Sequence, residues 1–231
     1  MKKGWCFILM LLLAGSLSAQ DCAGYYYLLN NAQVEMTMYD GSNAPVGKTI
    51  YKVNNVHKEA TGTTSNFTAT VYDKTENMIT TSQGTFKCSG DGIALDMKVG
   101  MPSFSQLKDL KMEAKTTNAF LNYPANMQVG QDLKGGTFEM AGNMGGMEIG
   151  IAYTVNNRKV VGKEKVTTPA GTWNCYKINY NLSFKMQMMG NTVPIDLTAT
   201  EWFAPGFGMV KTVSYKEGKE AGSTMITSFK K

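Results

Sequence analysis

Trp173-Asn174-Cys175-Tyr176-Lys177-Ile178-Asn179-Tyr180-Asn181-Leu182-Ser183-Phe184-Lys185-Met186-Gln187-Met188 is the stretch that decides the fold. Tyr176, Ile178, Tyr180, Leu182, Phe184, Met186 and Met188 share one face, and Lys177, Asn179, Asn181, Ser183, Lys185 and Gln187 share the other. Period-two alternation of this kind makes a β-strand with one dry and one wet face. Met189-Gly190-Asn191-Thr192 then supplies the residues that tolerate a tight hairpin turn. Centring the turn on Gly190-Asn191 predicts that Phe184 pairs with Leu197, Met186 with Ile195 and Ile178 with Phe203, and sets Trp202 opposite Asn179. A slip of one residue would put Leu182 and Phe184 against a wet face, so burial fixes the parity of the pairing. Strands this long twist and curl, which predicts a curved sheet.

Working outward, alternation punctuated by turn residues dominates the chain after residue 30. An internal echo aligns Met36–Asn55 with Phe138–Asn157 without a gap, matching Met38/Met140, Tyr51/Tyr153, Val53/Val155, Asn54/Asn156 and Asn55/Asn157. Both windows read as hairpins. The expected class is therefore all-β: a curved antiparallel sheet or half-barrel built from two similar sub-sheets, with one short helix. That helix is placed at Pro102, Phe104, Leu107 and Leu110, whose apolar residues recur three apart after a proline suited to a first turn.

The N-terminus sets the address. Lys2 and Lys3, an apolar run from Trp5 to Leu13 and the exit Ser16-Leu17-Ser18-Ala19 read as a cleavable export signal over residues 1–19, followed by a single β-rich domain over 20–231. The expected destination is the periplasm, the cell envelope or the medium. Ala19-Gln20-Asp21 before Cys22 holds an acid where a lipid-modification site wants small side chains, which favours soluble export over acylation. No apolar run is long enough to predict a membrane-spanning helix.

Removing the leader lowers the formal charge from +5 to +3, and the lysines are scattered, so no basic stripe follows a nucleic-acid backbone. Arg158 is the only arginine and His57 the only histidine, which leaves few groups for phosphate grip or proton shuttling. Three cysteines survive processing. Cys22 in the N-terminal lead pairs with Cys88 at a strand end, and Cys175 remains as a buried free thiol. The pairs Met36/Met38 and Met186/Met188 follow the buried register and read as packing rather than as copper ligands. No cofactor, metal or catalytic set is predicted.

Two turns carry aromatic anchors: Val166-Thr167-Thr168-Pro169-Ala170-Gly171-Thr172-Trp173 and Glu201-Trp202-Phe203-Ala204-Pro205-Gly206-Phe207-Gly208. Trp173 and Trp202 lie on the wet face, where something must cover them. Glu201 projects to the dry face, as a polar anchor in an apolar pocket or, because an unpaired buried carboxylate is costly, at the rim; the cost favours the rim.

The run from Gly162 to Ile178, with Thr167-Thr168-Pro169-Ala170-Gly171-Thr172-Trp173 at its centre, and the run from Glu201 to Lys211 resemble the TapB family of exported β-rich bacterial envelope proteins. The resemblance implies a twisted antiparallel sheet or half-barrel, similar in shape to periplasmic lipoprotein carriers, and transfers no catalytic residue. The functional expectation is a non-enzymatic envelope protein that takes an apolar ligand, a lipid or a lipidated partner on a concave face. That face comprises Tyr176, Ile178, Tyr180, Leu182, Phe184, Met186, Ile195, Leu197, Glu201 and Phe203. An adaptor contacting other envelope proteins is the second expectation, and a carboxylate-dependent hydrolase the third.

Overall fold

The computed structural model describes residues 22–100, 112–116, 119–144, 147–188 and 191–231. The expected export signal and the expected helix at Pro102–Leu110 lie outside the described residues. Among them, helix is limited to three 3-10 turns, at Cys22–Gly24, Tyr26–Leu28 and Met97–Gly100.

Fourteen strands follow in chain order: β1 Gln33–Asp40, β2 Pro45–Glu59, β3 Gly62–Asp73, β4 Met78–Ser89, β5 Gly92–Asp96, β6 Met112–Ala114, β7 Phe120–Pro124, β8 Asp132–Leu133, β9 Gly136–Met144, β10 Met147–Thr168, β11 Gly171–Met188, β12 Asn191–Ala204, β13 Gly208–Lys216 and β14 Lys219–Lys230. They form one antiparallel sheet in the order β6-β9-β10-β11-β12-β13-β14-β1-β2-β3-β4-β5-β7, with β8 added on β10. The last strand thus closes beside the first, Met36 opposite Ile226, and the sheet wraps into a nearly closed barrel. One margin of the sheet, β7, returns to the segment that leads into β9 and forms a seam there. There Arg158 Nη1 donates to the carbonyls of Asn122 in β7 (3.1 Å) and of Lys134 just before β9 (2.9 Å).

The sequence echo has a structural counterpart. β1–β2 and β9–β10 are the two hairpins, and in each the Asn-Asn doublet marks a bulge. Asn55 (φ 50°) and Asn157 (φ 51°) are left-handed, and the ladder shifts between Asn54 and His57 and between Asn156 and Lys159. The match continues across the next strands. Asn54, Asn66 and Thr85 lie side by side in one copy, as Asn156, Asn181 and Thr198 do in the other.

The β11–β12 register departs from the expectation by two residues. Leu182 pairs with Leu197, Phe184 with Ile195, Met186 with Val193 and Tyr176 with Phe203, and Trp202 sits opposite Lys177. Met188 pairs with Asn191, so the two residues between the strands are Met189 and Gly190. A shift of two preserves which face each side chain occupies, and alternation alone does not discriminate against it.

One end of the barrel is filled by the chain itself. Tyr25, Tyr26 and Tyr27 are buried there. Tyr27 packs on Phe86 at 4.5 Å, Tyr25 lies 6.1 Å from Phe203, and Tyr26 N donates to Phe207 O. Cys22 is bonded to Cys88, and Ser65 Oγ donates to Tyr27 O. The hairpin tip between β11 and β12 lies at the opposite end of those strands.

Candidate ligand site in the barrel interior

The ten residues expected to form a ligand face separate into two groups. Tyr176, Ile178 and Phe203 are buried within the plugged core, and Phe184 belongs to a second apolar cluster with Ile149, Ile151, Tyr153 and Val155. Tyr180, Leu182, Met186 and Leu197 are only partly buried. Towards the tip, Ile195 is 39% exposed and its neighbour Val193 60%, although both have the parity of inward-facing positions. Continuous alternation runs the length of the hairpin, but cover does not: the second cluster, against which Tyr180, Leu182 and Met186 pack, reaches along β11 as far as Met186, whereas β12 is uncovered beyond Leu197.

Glu201 is buried at 3% exposure, which corrects the expectation of a rim position. The expectation failed because it counted no cation nearby. Arg158 is 1% exposed, and it reaches the interior because the bulge at Asn157 puts β10 one residue out of step: Tyr153 and Val155 point inward, Asn156 and Asn157 outward, and Arg158 inward again. The rarity of arginine says nothing of where Arg158 points; the Asn-Asn doublet just before it is the signal in the sequence that places it inside.

Tyr123 joins the two. Its hydroxyl donates to Glu201 Oε2 at 3.0 Å, its ring stacks on Phe203 at 4.2 Å, and the Arg158 guanidinium lies 4.6 Å over its face. Burial pushes the Glu201 carboxyl above the usual carboxylate range, against the smaller opposing pulls of Arg158 and the Tyr123 hydrogen bond. The Tyr123, Tyr153 and Tyr180 phenols are raised by burial and then by Glu201, so they remain neutral at physiological pH. Arg158 Nε, Arg158 Nη2 and Glu201 Oε1 have no hydrogen-bond partner. Such groups are costly to leave unmet in a low-dielectric interior. The cluster therefore brings unpartnered donors of one guanidinium and an unpartnered oxygen of one carboxyl into the same interior.

The remaining candidates do not converge. Cys175 is free and buried, its thiol pushed up to about 12 by burial and then by Glu164. His57 is exposed, with Nε2 3.6 Å from Glu59 Oε1. Among the described residues no three His, Cys, Asp or Glu side chains gather as a metal site. Trp173 packs on Phe207 at 4.7 Å, pinning the turn after β12. Trp202 is covered by its neighbours on the sheet rather than by another layer: Nε1 donates to Glu164, and the ammonium groups of Lys211 and Lys177 lie 5.4 and 5.5 Å from its ring.

Two open grooves that alternation did not reveal lie over the wet face. One of about 390 Å³ is lined by Asn54, Asn66, Gln83 and Thr85, and one of about 550 Å³ by Asn156, Asn181, Asp196 and Thr198. They occupy equivalent places in the two copies, and both linings are mainly polar.

The profile of the DUF3108-like family matches residues 30–226. The chain belongs to the DUF3108-like family. The family groups domains of unknown function, so membership carries the fold and no activity; the TapB name is not part of the match. Two solved structures share the architecture. A protein from Bacteroides fragilis classed as exported, with a YmcC-like fold, superposes with a TM-score of 0.73 at 21% identity, over 88% of this chain and 97% of that one. A protein from Parabacteroides distasonis classed as a lipoprotein gives 0.74 at 18% identity, over 88% and 96%. No curated protein matches the chain. At these identities the likeness is one of fold.

Proposed function

We propose that this DUF3108-like protein is an exported, non-catalytic envelope protein that binds an apolar, lipid-like ligand at the hairpin end of its barrel. The observation that carries the reading is the exposure of Val193 and Ile195 on the inward-facing side of β12, continuous with the partly buried Leu182, Met186 and Leu197. A contiguous apolar surface of this kind, on a face whose other half is core, is a place where a ligand gains by leaving water. The ligand face is accordingly Tyr180, Leu182, Met186, Ile195 and Leu197, while Tyr176, Ile178 and Phe203 hold the plug. Export follows from the N-terminal leader and agrees with the way both structural neighbours are classed.

The test is binding of a neutral fluorescent probe, N-phenyl-1-naphthylamine, to the mature protein, with organic extracts of freshly purified protein analysed by mass spectrometry. Ile195→Glu is expected to weaken the probe by about tenfold or more, the equivalent of losing most of one buried apolar side chain. Val46→Glu, exposed elsewhere, is expected to leave it unchanged. A wild-type protein that neither binds the probe nor carries lipid would overturn the reading and return the apolar tip to the role of a protein contact.

A further inference from the structure

The two copies of the repeat place different side chains at equivalent positions inside the barrel. Pairing across the bulges makes Arg158, Tyr180 and Glu201 of the second copy equivalent to Val56, Ser65 and Cys88 of the first. In the first copy those positions hold the chain's own N-terminal segment: Cys88 is bonded to Cys22, Ser65 donates to Tyr27 O, and Val56 packs against the core. In the second they carry a guanidinium, a phenol and a carboxyl.

The guanidinium is half used. Nη1 is committed to the carbonyls of Asn122 and Lys134, whereas Nε and Nη2 are unpartnered. Those two N–H groups lie parallel along one edge of the planar group, the fork that matches the two oxygens of a carboxylate. Its charge acts on Glu201, Tyr123, Tyr153 and Tyr180, so the fork belongs to the same interior as the ligand face. From Glu201 the inward positions Ala199, Leu197, Ile195 and Val193 climb β12 to the exposed tip. Glu201 to Ile195 is six residues, roughly 20 Å at about 3.4 Å per residue. That span is of the order of a long acyl chain.

We propose that Arg158 Nε and Nη2 anchor the carboxylate of a long-chain fatty acid whose hydrocarbon lies along Leu197, Leu182, Met186 and Ile195. The inference rests on the apolar-ligand reading above and adds the head group to it. Arg158 is the one cation of the buried cluster, so this desolvated site balances the single charge of a monoanion and leaves the second charge of a phosphate dianion uncompensated. Burial favours the neutral form of Glu201, which allows Oε1 to donate a hydrogen to the second ligand oxygen.

The experiment displaces the neutral probe from the mature, disulfide-bonded protein with palmitate and, separately, with hexadecanol. Wild type is expected to bind palmitate at least about tenfold more tightly, the difference expected of charge-assisted hydrogen bonds. Arg158→Met should erase that preference, so that palmitate and hexadecanol bind alike, and Arg158→Lys, which keeps the charge but not the fork, should lose most of it. Because Arg158 also spans the seam, a readout on wild type stands beside both variants. The 13C carboxyl resonance of 1-13C palmitate is expected to titrate at lower pH when bound than a fatty acid carboxyl held in an apolar site without a cation. Equal affinity for acid and alcohol, or a bound carboxyl that titrates upward, overturns the head-group assignment and leaves the apolar ligand standing. Binding of neither compound overturns both.

Discussion

Arg158 faces inward because Asn157 adopts a conformation that most side chains resist. At φ 51° asparagine is tolerated and glycine is free, whereas an alanine would place its Cβ against its own backbone. Asn157→Ala is expected to cost about 1–2 kcal/mol in urea denaturation, with Asn157→Gly close to neutral. Equal losses for both would mean that the side-chain amide, not the backbone, matters there. Glu201 supplies a second test with a defined sign. Its folded-state pKa is raised, chiefly by burial, above the ordinary value of 4.5. Well below that value folded and unfolded chains are both protonated and the group contributes nothing. As pH rises the unfolded chain ionises first, so stability falls until the folded value is passed. Glu201→Gln should therefore be stabilised relative to wild type at pH 7 and not at about pH 3, and a relative gain confined to acid would show that Arg158 outweighs burial. Both residues were visible in the sequence, but their partnership was not, because 43 positions separate them and only the bulge brings Arg158 to the inner face.

At the scale of elements, strand identity was legible and register was not. The run from Tyr176 to Met188 fixes which side chains face inward, because one misplaced residue would expose Phe184 and Leu182. It leaves a two-residue slip open, and the ladder itself resolves it by pairing Leu182 with Leu197. The repeat was legible for a similar reason: Tyr51-Lys52-Val53-Asn54-Asn55 and Tyr153-Thr154-Val155-Asn156-Asn157 encode the same strand and the same bulge. What alternation does not encode is cover. Tyr25-Tyr26-Tyr27 shows no alternation, yet it fills one end of the barrel, and the Cys22–Cys88 bond holds it there across 66 residues. Replacing both cysteines with serine is expected to lower stability by up to about 4 kcal/mol in the chain-entropy model, less if the unfolded chain stays compact. The check is urea denaturation of Cys22→Ser/Cys88→Ser followed by tyrosine and tryptophan emission; an unchanged midpoint would mean that the tyrosines alone seat the plug.

At the scale of the whole molecule, closure depends on the last strand. β14 is hydrogen-bonded on one side to β13, its hairpin partner, and on the other to β1, where Ile226, fully buried, meets Met36 across 190 residues of chain. Bringing such distant segments together costs loop entropy before any contact returns it, whereas the hairpins β1–β2, β3–β4 and β11–β12 close over short turns. Local hairpins are therefore expected to form first and the β14–β1 pairing last. Ile226→Ala removes buried volume from that last contact and should cost about 2–5 kcal/mol. If the pairing is absent from the transition state, the loss falls on the unfolding rate, which should rise by roughly 30-fold or more while the folding rate hardly changes. Stopped-flow folding and unfolding of the variant in urea measures both limbs. A slowed folding limb with an unchanged unfolding limb would place closure of the barrel before the hairpins, with β1 and β14 as the nucleus on which both copies of the repeat assemble.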